Sequence, residues 1–263
     1  MAELIISSKD NQYVKLARGL AQKKQRDAHG MFLAEGRSNI REALLADLRP
    51  AFLLYDAERA DDPQIAPLLQ LAADKNCPVL AVTGKLLQAV SPAEASQGLL
   101  LALYRPQIDA ESFADMAAGK SLAVLDGLQD PGNVGTILRT AWAAGLGGVL
   151  LVNDTADVWS PKVVRSAMGA LYHLPVLALS NEEGYQLLDK LKLPVAVADA
   201  GGDDFRTCNF GGPVAWLLGK EATGPSAYWR QAAAKTVAIP MQPGVDSLNV
   251  AVAAGILFFS NIK

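Results

Sequence analysis

Cysteine and histidine are scarce in this 263-residue sequence, which contains two of each. Cys77 and Cys208 are too few for a disulfide framework, and with two histidines they show no metal-ligand spacing. We therefore expect reduced thiols and no metal.

The apolar runs stop well short of the ~20 residues of a membrane-spanning helix. Met1 leads into polar residues without the basic and apolar segments of a signal peptide, so we expect a cytoplasmic protein that is not bound to a membrane.

Positive charge is not in overall excess, because the net charge is −3. This excludes a generally basic nucleic-acid binder. The charge is unevenly distributed, however: residues 1–50 hold nine Lys and Arg against six Asp and Glu, whereas residues 107–263 hold eleven against fifteen. With 51% hydrophobic and 19% charged residues, the chain has the composition of a globular protein.

The order of apolar segments predicts two α/β domains. Residues 1–106 alternate short helices and strands and form a compact module, and the composition of residues 107–119 indicates a linker. Residues 120–263 alternate strands and helices regularly, which is typical of a parallel sheet. Functional loops in such sheets gather at the carboxyl ends of the strands.

The first module begins with an amphipathic helix over residues 11–27. Its apolar stripe leaves Lys15, Lys23, Lys24 and Arg26 outside. These basic residues form either an ordinary solvated helix end or a surface that contacts RNA phosphates.

The most unusual stretch is Ile239–Phe259, near the end of the chain. A short apolar strand ends at Ile239, and Pro240, Pro243 and Gly244 then prevent both a continued strand and an immediate helix. The helix that follows is almost entirely small or apolar, with Asp246 and Ser247 as N-cap candidates and Asn249 in its first turn. These polar residues either cap the helix or belong to a crossing that wraps a ligand.

Two further loops follow predicted strands and carry polar residues. Asn133 stands at the start of a helix and Arg139 lies within it, where an arginine either pairs with an acid or binds a phosphate or a developing oxyanion. The loop Gly219-Lys-Glu221-Ala-Thr-Gly224 allows close backbone approach to a ligand. It lacks the Lys-Ser/Thr of a phosphate-binding P-loop, and no Gly-x-Gly-x-x-Gly follows a strand.

Taken together, Asn133-x-Gly-x-x-x-Arg139, Leu218-Gly-x-Glu-x-x-Gly224 and Ile239-Pro-Met…Ser247-Leu-Asn-Val250 resemble, in order and spacing, the three motifs of the SpoU (TrmH-type) RNA ribose 2′-O-methyltransferases of the SPOUT class. Residues 1–106 resemble the small L30e-like substrate-binding domain that often precedes that catalytic domain. The resemblance implies a trefoil knot in residues 120–263, S-adenosylmethionine (AdoMet) as cofactor, RNA as substrate and a homodimer formed through the C-terminal domain.

The resemblance also assigns roles to individual residues. The catalytic candidates are Asn133, Arg139, Glu221, Ser247 and Asn249. The cofactor candidates are Leu218, Gly219, Gly224, Ile239, Met241, Leu248 and Val250. The RNA-binding candidates are Lys15, Lys23, Lys24, Arg26 and Arg37.

Three alternatives remain open at this point. A non-catalytic RNA-binding paralogue would keep the fold, although Arg139 and Asn249 are both present. An α/β protein that binds a different nucleotide is a second alternative. Within the enzyme reading, transfer RNA competes with ribosomal RNA, and the sizeable N-terminal module favours ribosomal RNA.

Overall fold

A computed structural model describes residues 5–93 and 95–260 of the chain. Residues Met1–Leu4, which begin the segment searched for a signal peptide, lie outside the described residues. The chain divides into two compact units: the first comprises the residues up to Pro106 together with Asp157–Tyr172, and the second comprises Gln107–Ala156 and the residues from His173 onward. In residues 5–93 and 95–260, no helix is long and apolar enough to cross a membrane.

The first unit is built on a four-stranded mixed sheet in the order β1-β4-β2-β3, with a parallel β2–β3 pair and β4 antiparallel to both its neighbours. The strands are β1 (Met31–Glu35), β2 (Pro50–Asp56), β3 (Val79–Val82) and β4 (Leu99–Tyr104). The helices of this part are α1 (Gln12–Gly19), α2 (Lys23–His29), α3 (Arg37–Leu45), α4 (Ala66–Asp74) and α5 (Gly84–Val90).

The basic N-terminal segment is two helices and not the single helix predicted for residues 11–27, because the chain breaks between α1 and α2. Arg26 turns inward at this break, where its Nη1 donates to the carbonyl oxygens of Leu20 (2.9 Å) and Ala21 (2.7 Å). Its Nη2 pairs with Asp157 at 2.6 Å, and only 3% of the residue is exposed. The prediction that Arg26 contacts RNA is therefore wrong, since a buried and fully paired guanidinium cannot reach a phosphate.

The second unit contains a six-stranded, wholly parallel sheet in the order β10-β8-β9-β5-β6-β7, which confirms the predicted α/β class and parallel sheet. The strands are β5 (Leu122–Asp126), β6 (Gly148–Val152), β7 (Val176–Ala178), β8 (Val195–Asp204), β9 (Ala215–Gly219) and β10 (Lys235–Ala238). The α-helices of this unit are α6 (Ala110–Ala117), α7 (Pro131–Ala143), α9 (Asn181–Lys190), α10 (Ala227–Ala232) and α11 (Val250–Ser260), whereas α8 (Pro161–Ser166) belongs to the first unit.

The segment 107–119 is not a simple linker, because it contains α6. Asp109 caps this helix by accepting a hydrogen bond from the Ser112 backbone N–H at 2.8 Å. Phe113 is fully buried in the core of the second unit, and a Cβ added at Gly148 would lie 2.6 Å from its ring. The apolar residues of α6 share one helical face, so the segment is part of the second unit's core and does not only connect domains.

Residues Asp157–Tyr172 pack with the first unit, although the sequence predicts one uninterrupted domain over residues 120–263. Trp159 stacks at a tilt on Phe32 with ring centroids 4.8 Å apart, and the Tyr172 hydroxyl donates to Asn39 at 2.9 Å. The first unit therefore takes part of its core from a distant part of the chain. The domain boundaries predicted from composition remain predictions.

Candidate active site

The candidate site lies at the carboxyl-end edge of the parallel sheet, where such sheets usually bind ligands. The loop after β9 folds back on itself there, and the Gly224 N–H donates to the Lys220 carbonyl at 2.8 Å. This turn requires glycine at position 219, because a Cβ there would lie only 2.1 Å from the Pro225 nitrogen. Gly224 itself has a φ of +67°, which glycine adopts without strain.

A cavity of about 510 Å³ opens beside this loop, within the second unit. Its walls come from the end of β8, the loop that follows β9, the turn after β10 and the first turns of α11. The structure brings together on this wall all seven predicted cofactor residues: Leu218, Gly219, Gly224, Ile239, Met241, Leu248 and Val250. Their contact with a cofactor remains a prediction.

The cavity fits a nucleoside-sized cofactor. Its volume falls within the range of about 300–1,000 Å³ that small-molecule sites occupy. Leu218, Leu248 and Met241 supply apolar surface, and the backbone of Gly219 and Gly224 also lines the cavity. The donor set contains no cluster suited to a metal: within residues 5–93 and 95–260, no group of three or more His, Cys, Asp or Glu could hold an ion.

A chain of side-chain hydrogen bonds joins the three loops. Asn249 Nδ2 donates to Asn133 Oδ1 at 3.0 Å, and Asn133 Nδ2 donates to Glu221 Oε1 at 3.0 Å. These residues are separated by 116 and 88 positions along the sequence. The structure therefore brings three of the five catalytic candidates into direct contact, and Ser247 lies on the cavity wall with Glu221 and Asn249.

Asn249 caps the last helix and also lies on the cavity wall, and its contact with a ligand remains a prediction. Its Oδ1 accepts hydrogen bonds from the Ala251 and Val252 N–H groups at 2.9 and 3.3 Å, so it caps α11. The helix starts at Val250, and the N-cap therefore falls at Asn249 and not at Asp246 or Ser247 as expected. The proline-glycine turn extends further than predicted and delays the helix.

Arg139 lies on the same helix as Asn133, about 9 Å further along its axis at 1.5 Å per residue. Its side chain is exposed and does not line the cavity. In the described part of the chain it makes no hydrogen bond or ion pair, so it does not join the group formed by Asn133, Glu221 and Asn249. A catalytic role for Arg139 remains a prediction.

Three charged residues of the cavity were not among the predicted site residues: Asp199, Lys220 and Arg230. Arg230 forms an ion pair with Asp199, and its Nε donates to the Pro225 carbonyl at 3.0 Å. The pair thus supports the outer end of the loop that follows β9. Asp199 lies in the polar interruption of β8, where β10 shifts register between Thr236 and Val237. The polar residues that follow Ala198 in β8 are the signal in the sequence that could have indicated Asp199.

The RNA-binding candidates of the first unit differ in their surroundings. Lys24 is exposed, and Lys15 and Lys23 are exposed but paired with Asp10 (2.9 Å) and Asp27 (2.7 Å). The hydrogen bond and charge of Lys15 lower the pKa of the Asp10 carboxyl below its usual value. Arg37 lies 3.9 Å from Asp62 and lines a separate concave surface with Arg41. Surface ion pairs of this kind are weak and can be exchanged for a phosphate.

Comparisons with known proteins agree with this geometry. Residues 120–259 match the SpoU rRNA Methylase family, and residues 11–101 match the MRM3-like substrate binding domain. The chain is 31% identical over 258 residues to the Bacillus subtilis 23S rRNA (guanosine(2553)-2′-O)-methyltransferase RlmP, covering 97% of each chain.

Two solved structures extend the comparison to the fold. An AdoMet-bound rRNA methyltransferase from Sinorhizobium meliloti is 30% identical, with a TM-score of 0.86 and coverage of 98% of this chain and 96% of that one. The SpoU methyltransferase AviRb from Streptomyces viridochromogenes, in complex with AdoMet, is 27% identical, with a TM-score of 0.87 and coverage of 96% and 97%.

Proposed function

This chain belongs to the SpoU rRNA methylase family, and on that premise we propose that it transfers a methyl group from AdoMet to a ribose 2′-hydroxyl of ribosomal RNA. The observation that carries the proposal is a nucleoside-sized cavity lined by two of the motif loops, with Asn133 of the third motif hydrogen-bonded to Glu221 and Asn249 on its wall. A decayed, non-catalytic relative would have no need to maintain this arrangement.

Ribosomal RNA is favoured over transfer RNA by the extent of the similarity. The B. subtilis relative named a 23S rRNA methyltransferase aligns along 97% of the chain, which includes most of the module that precedes the methylase domain. Residues 11–101 also match a substrate-binding domain by name. Transfer RNA remains the alternative substrate for the experiment below.

AdoMet supplies a methyl group that is already activated by its sulfonium, so the protein mainly has to align and deprotonate a hydroxyl. The cavity residues hold the nucleoside portion of the cofactor. Asn133 is fixed from both sides by Glu221 and Asn249, and it keeps one N–H free to orient the ribose.

Arg139 completes the site from the substrate side in this proposal. Its guanidinium is exposed on α7 and has no partner in the described residues, so it is free to contact the 2′-oxygen or an adjacent phosphate. An arginine is nearly always protonated, and its contribution is therefore to stabilise the alkoxide as it forms.

We extend the proposal to the trefoil knot and the homodimer. After the edge strand β10, the chain turns so that α11 packs against α7 and β9 near the centre of the sheet, which a knotted crossing would require. Val252 and Phe259 on α11 are each 52% exposed, and a second copy would cover such an apolar face.

The first unit serves as the RNA-binding module in this proposal, with the L30e-like architecture expected from the sequence. Lys15, Lys23, Lys24 and Arg37 remain its candidate contacts, and Arg26 is removed from that set. Their contribution should be mainly electrostatic and should weaken with salt.

The test combines cofactor binding with mapping of the product. Isothermal titration should show AdoMet binding to the wild-type protein. Ribose-methylation mapping should then find one or more 2′-O-methyl groups in ribosomal RNA that are absent from cells without the protein and restored by its re-expression. Methylation confined to transfer RNA would replace the substrate, and AdoMet binding without any methylated RNA would favour a non-catalytic paralogue.

A further inference from the structure

A buried carboxylate at the end of the central strand β5, Asp126, is not among the predicted site residues. Asp126 is only 1% exposed. Its Oδ1 accepts a hydrogen bond from Asn153 Nδ2 at 2.6 Å, and its Oδ2 accepts one from the Ser226 backbone N–H at 2.7 Å. Within the described residues it has no cationic partner. Burying a charged group without a counter-ion is costly, so these two donors must supply its stabilisation.

The hydrogen bonds continue from Asp126 in one direction. Asn153 Oδ1 accepts from Asn181 Nδ2 at 2.8 Å, and Asn181 Oδ1 accepts from the indole N–H of Trp229 at 2.8 Å. The carboxylate can only accept and the indole can only donate, so the two ends fix the orientation of both amides between them. Asn153 holds a φ of +49°, a conformation that Asn and Asp tolerate best among residues with a side chain.

This chain of hydrogen bonds reaches the cofactor cavity through Ser226. Its N–H follows directly after Pro225, the residue against which Gly219 packs so closely that no Cβ would fit. Asp126 is also the register partner of Gly219 on the neighbouring strand. The loop 219–225 is therefore held at its start by β9 and at its end by Asp126, and Glu221 lies between these two points.

We propose that Asp126 is a positioning residue that sets the shape of the cofactor wall, acting through Ser226 and oriented by Asn153. The proposal rests on the proposed function, because it assumes that the cavity holds AdoMet. It follows from the chemistry of position 126, where two N–H donors converge on one side chain. A carboxylate accepts both, whereas an amide must turn its own N–H₂ toward one of them.

Exchanging the side chains of Asp126 and Asn153 tests the positioning role of Asp126. Asp126→Asn places donor against donor, and Asn153→Asp places acceptor against acceptor, so each alone should raise the AdoMet dissociation constant and KM about tenfold. The kcat at saturating AdoMet should fall by a smaller factor than the affinity, because Arg139 is untouched and Glu221 is displaced only through its loop. In the double variant, the new amide at position 126 accepts from the Ser226 N–H and donates to the new carboxylate at position 153, which still accepts from Asn181. Affinity should therefore return to within about twofold of wild type.

Tyr172→Phe is the matched control, since it removes a buried hydrogen bond in the first unit. It should lower the melting temperature without changing AdoMet affinity. Trp229→Phe probes the other end of the same chain of hydrogen bonds: it deletes the terminal donor and should weaken AdoMet binding by a few fold. Because Trp229 is fully buried, this change also leaves a cavity and should lower the melting temperature.

The outcomes separate this proposal from the proposed function. Absence of AdoMet binding by the wild-type protein would contradict the function itself. Wild-type binding with unchanged affinity in both single variants would overturn only the positioning role, as would a double variant weaker than either single one. If the single variants do not fold, a folded double variant with near-normal affinity supports the proposal. An unfolded double variant together with unchanged affinity in Trp229→Phe overturns it.

Discussion

Polar side chains join distant parts of the sequence in both units, but they do so in opposite surroundings. In the first unit, Arg26 is buried and uses its Nε, Nη1 and Nη2 atoms on Asp157 and two backbone carbonyls. In the second unit, Asn133 links Glu221 to Asn249 at the edge of an open cavity.

Arg26 and Asn133 differ in how many hydrogen-bond donors they keep for a ligand. Arg26 has no donor nitrogen left for a ligand, so its contribution is to the stability of the first unit. The amides of Asn133 and Asn249 each keep an N–H that their neighbours do not use, and Asn133 is half-buried while Asn249 is exposed. A polar residue that joins distant parts of the sequence is therefore structural when it is buried and all its hydrogen-bonding groups are used. It is available to bind a ligand when it is accessible and keeps an unused donor.

The largest expected effect comes from removing Arg26, whose donor nitrogens are all used. Arg26→Met should lower the free energy of unfolding by about 3–5 kcal/mol, because Asp157 loses its cationic partner and two carbonyls lose their donor. Urea unfolding followed by circular dichroism measures this loss. Lys23→Met removes an exposed ion pair on the same helix and serves as the control, with a change near the error of the measurement. If both variants lost the same free energy of unfolding, a buried and fully hydrogen-bonded arginine would matter no more than an exposed lysine, and the comparison would fail.

Removing Arg139 should affect catalysis and not stability. Arg139→Ala should reduce kcat by about 10²–10³-fold at saturating AdoMet, because the developing alkoxide loses its stabilising cation. Cofactor affinity measured by titration should stay close to that of wild type. Arg206→Ala, at an exposed arginine paired with Asp204 in the same unit, is the matched control. Unchanged turnover in Arg139→Ala would remove this residue from the chemistry.

Asn249 allows its two roles to be separated. Asn249→Asp keeps the acceptor that caps α11 but loses the N–H given to Asn133, so stability should hold while kcat/KM falls about tenfold. Asn249→Ala should lose both, with a further cost of about 0.5–2 kcal/mol in the free energy of unfolding. If the Asp variant retains full activity, the hydrogen bond to Asn133 has no functional role.

The smallest effect concerns pH. Hydrogen bonds from Lys23 and then from Arg105 lower the pKa of Asp27 below its usual 3.8 in the folded protein. Because the folded pKa is the lower one, this stabilisation is complete above about pH 4 and is lost as the pH falls through the folded value. Asp27→Asn should therefore narrow the difference in stability between pH 7 and pH 3 slightly, since the carboxylate is exposed. Melting curves at both pH values test this, and an unchanged difference would contradict it.

The sequence alone predicted the parts that depend on local patterns. Alternating apolar segments indicated the parallel sheet, and Pro240, Pro243 and Gly244 marked the turn after its edge strand. Because the carboxyl ends of parallel strands meet at one edge, the loops carrying Asn133, Glu221 and Asn249 could be expected to converge, and they do.

Pairing across long distances could not be predicted in this way. The polarity of Arg26 on an amphipathic helix indicated exposure, and only Asp157, 131 residues away, turns it inward. The helix α6 was missed because a short segment with a small apolar face resembles a linker until the core that receives Phe113 is known.

Local chemistry thus determined which elements form and which edge of the sheet carries the site, because strand period, proline and glycine act over a few residues. The tertiary structure decided which polar side chains are buried and paired, including Arg26 with Asp157 and Asp126 with Asn153. The physical reason is that a buried charge is stable only beside partners of matching geometry. Those partners come from parts of the chain that only the folded state brings together.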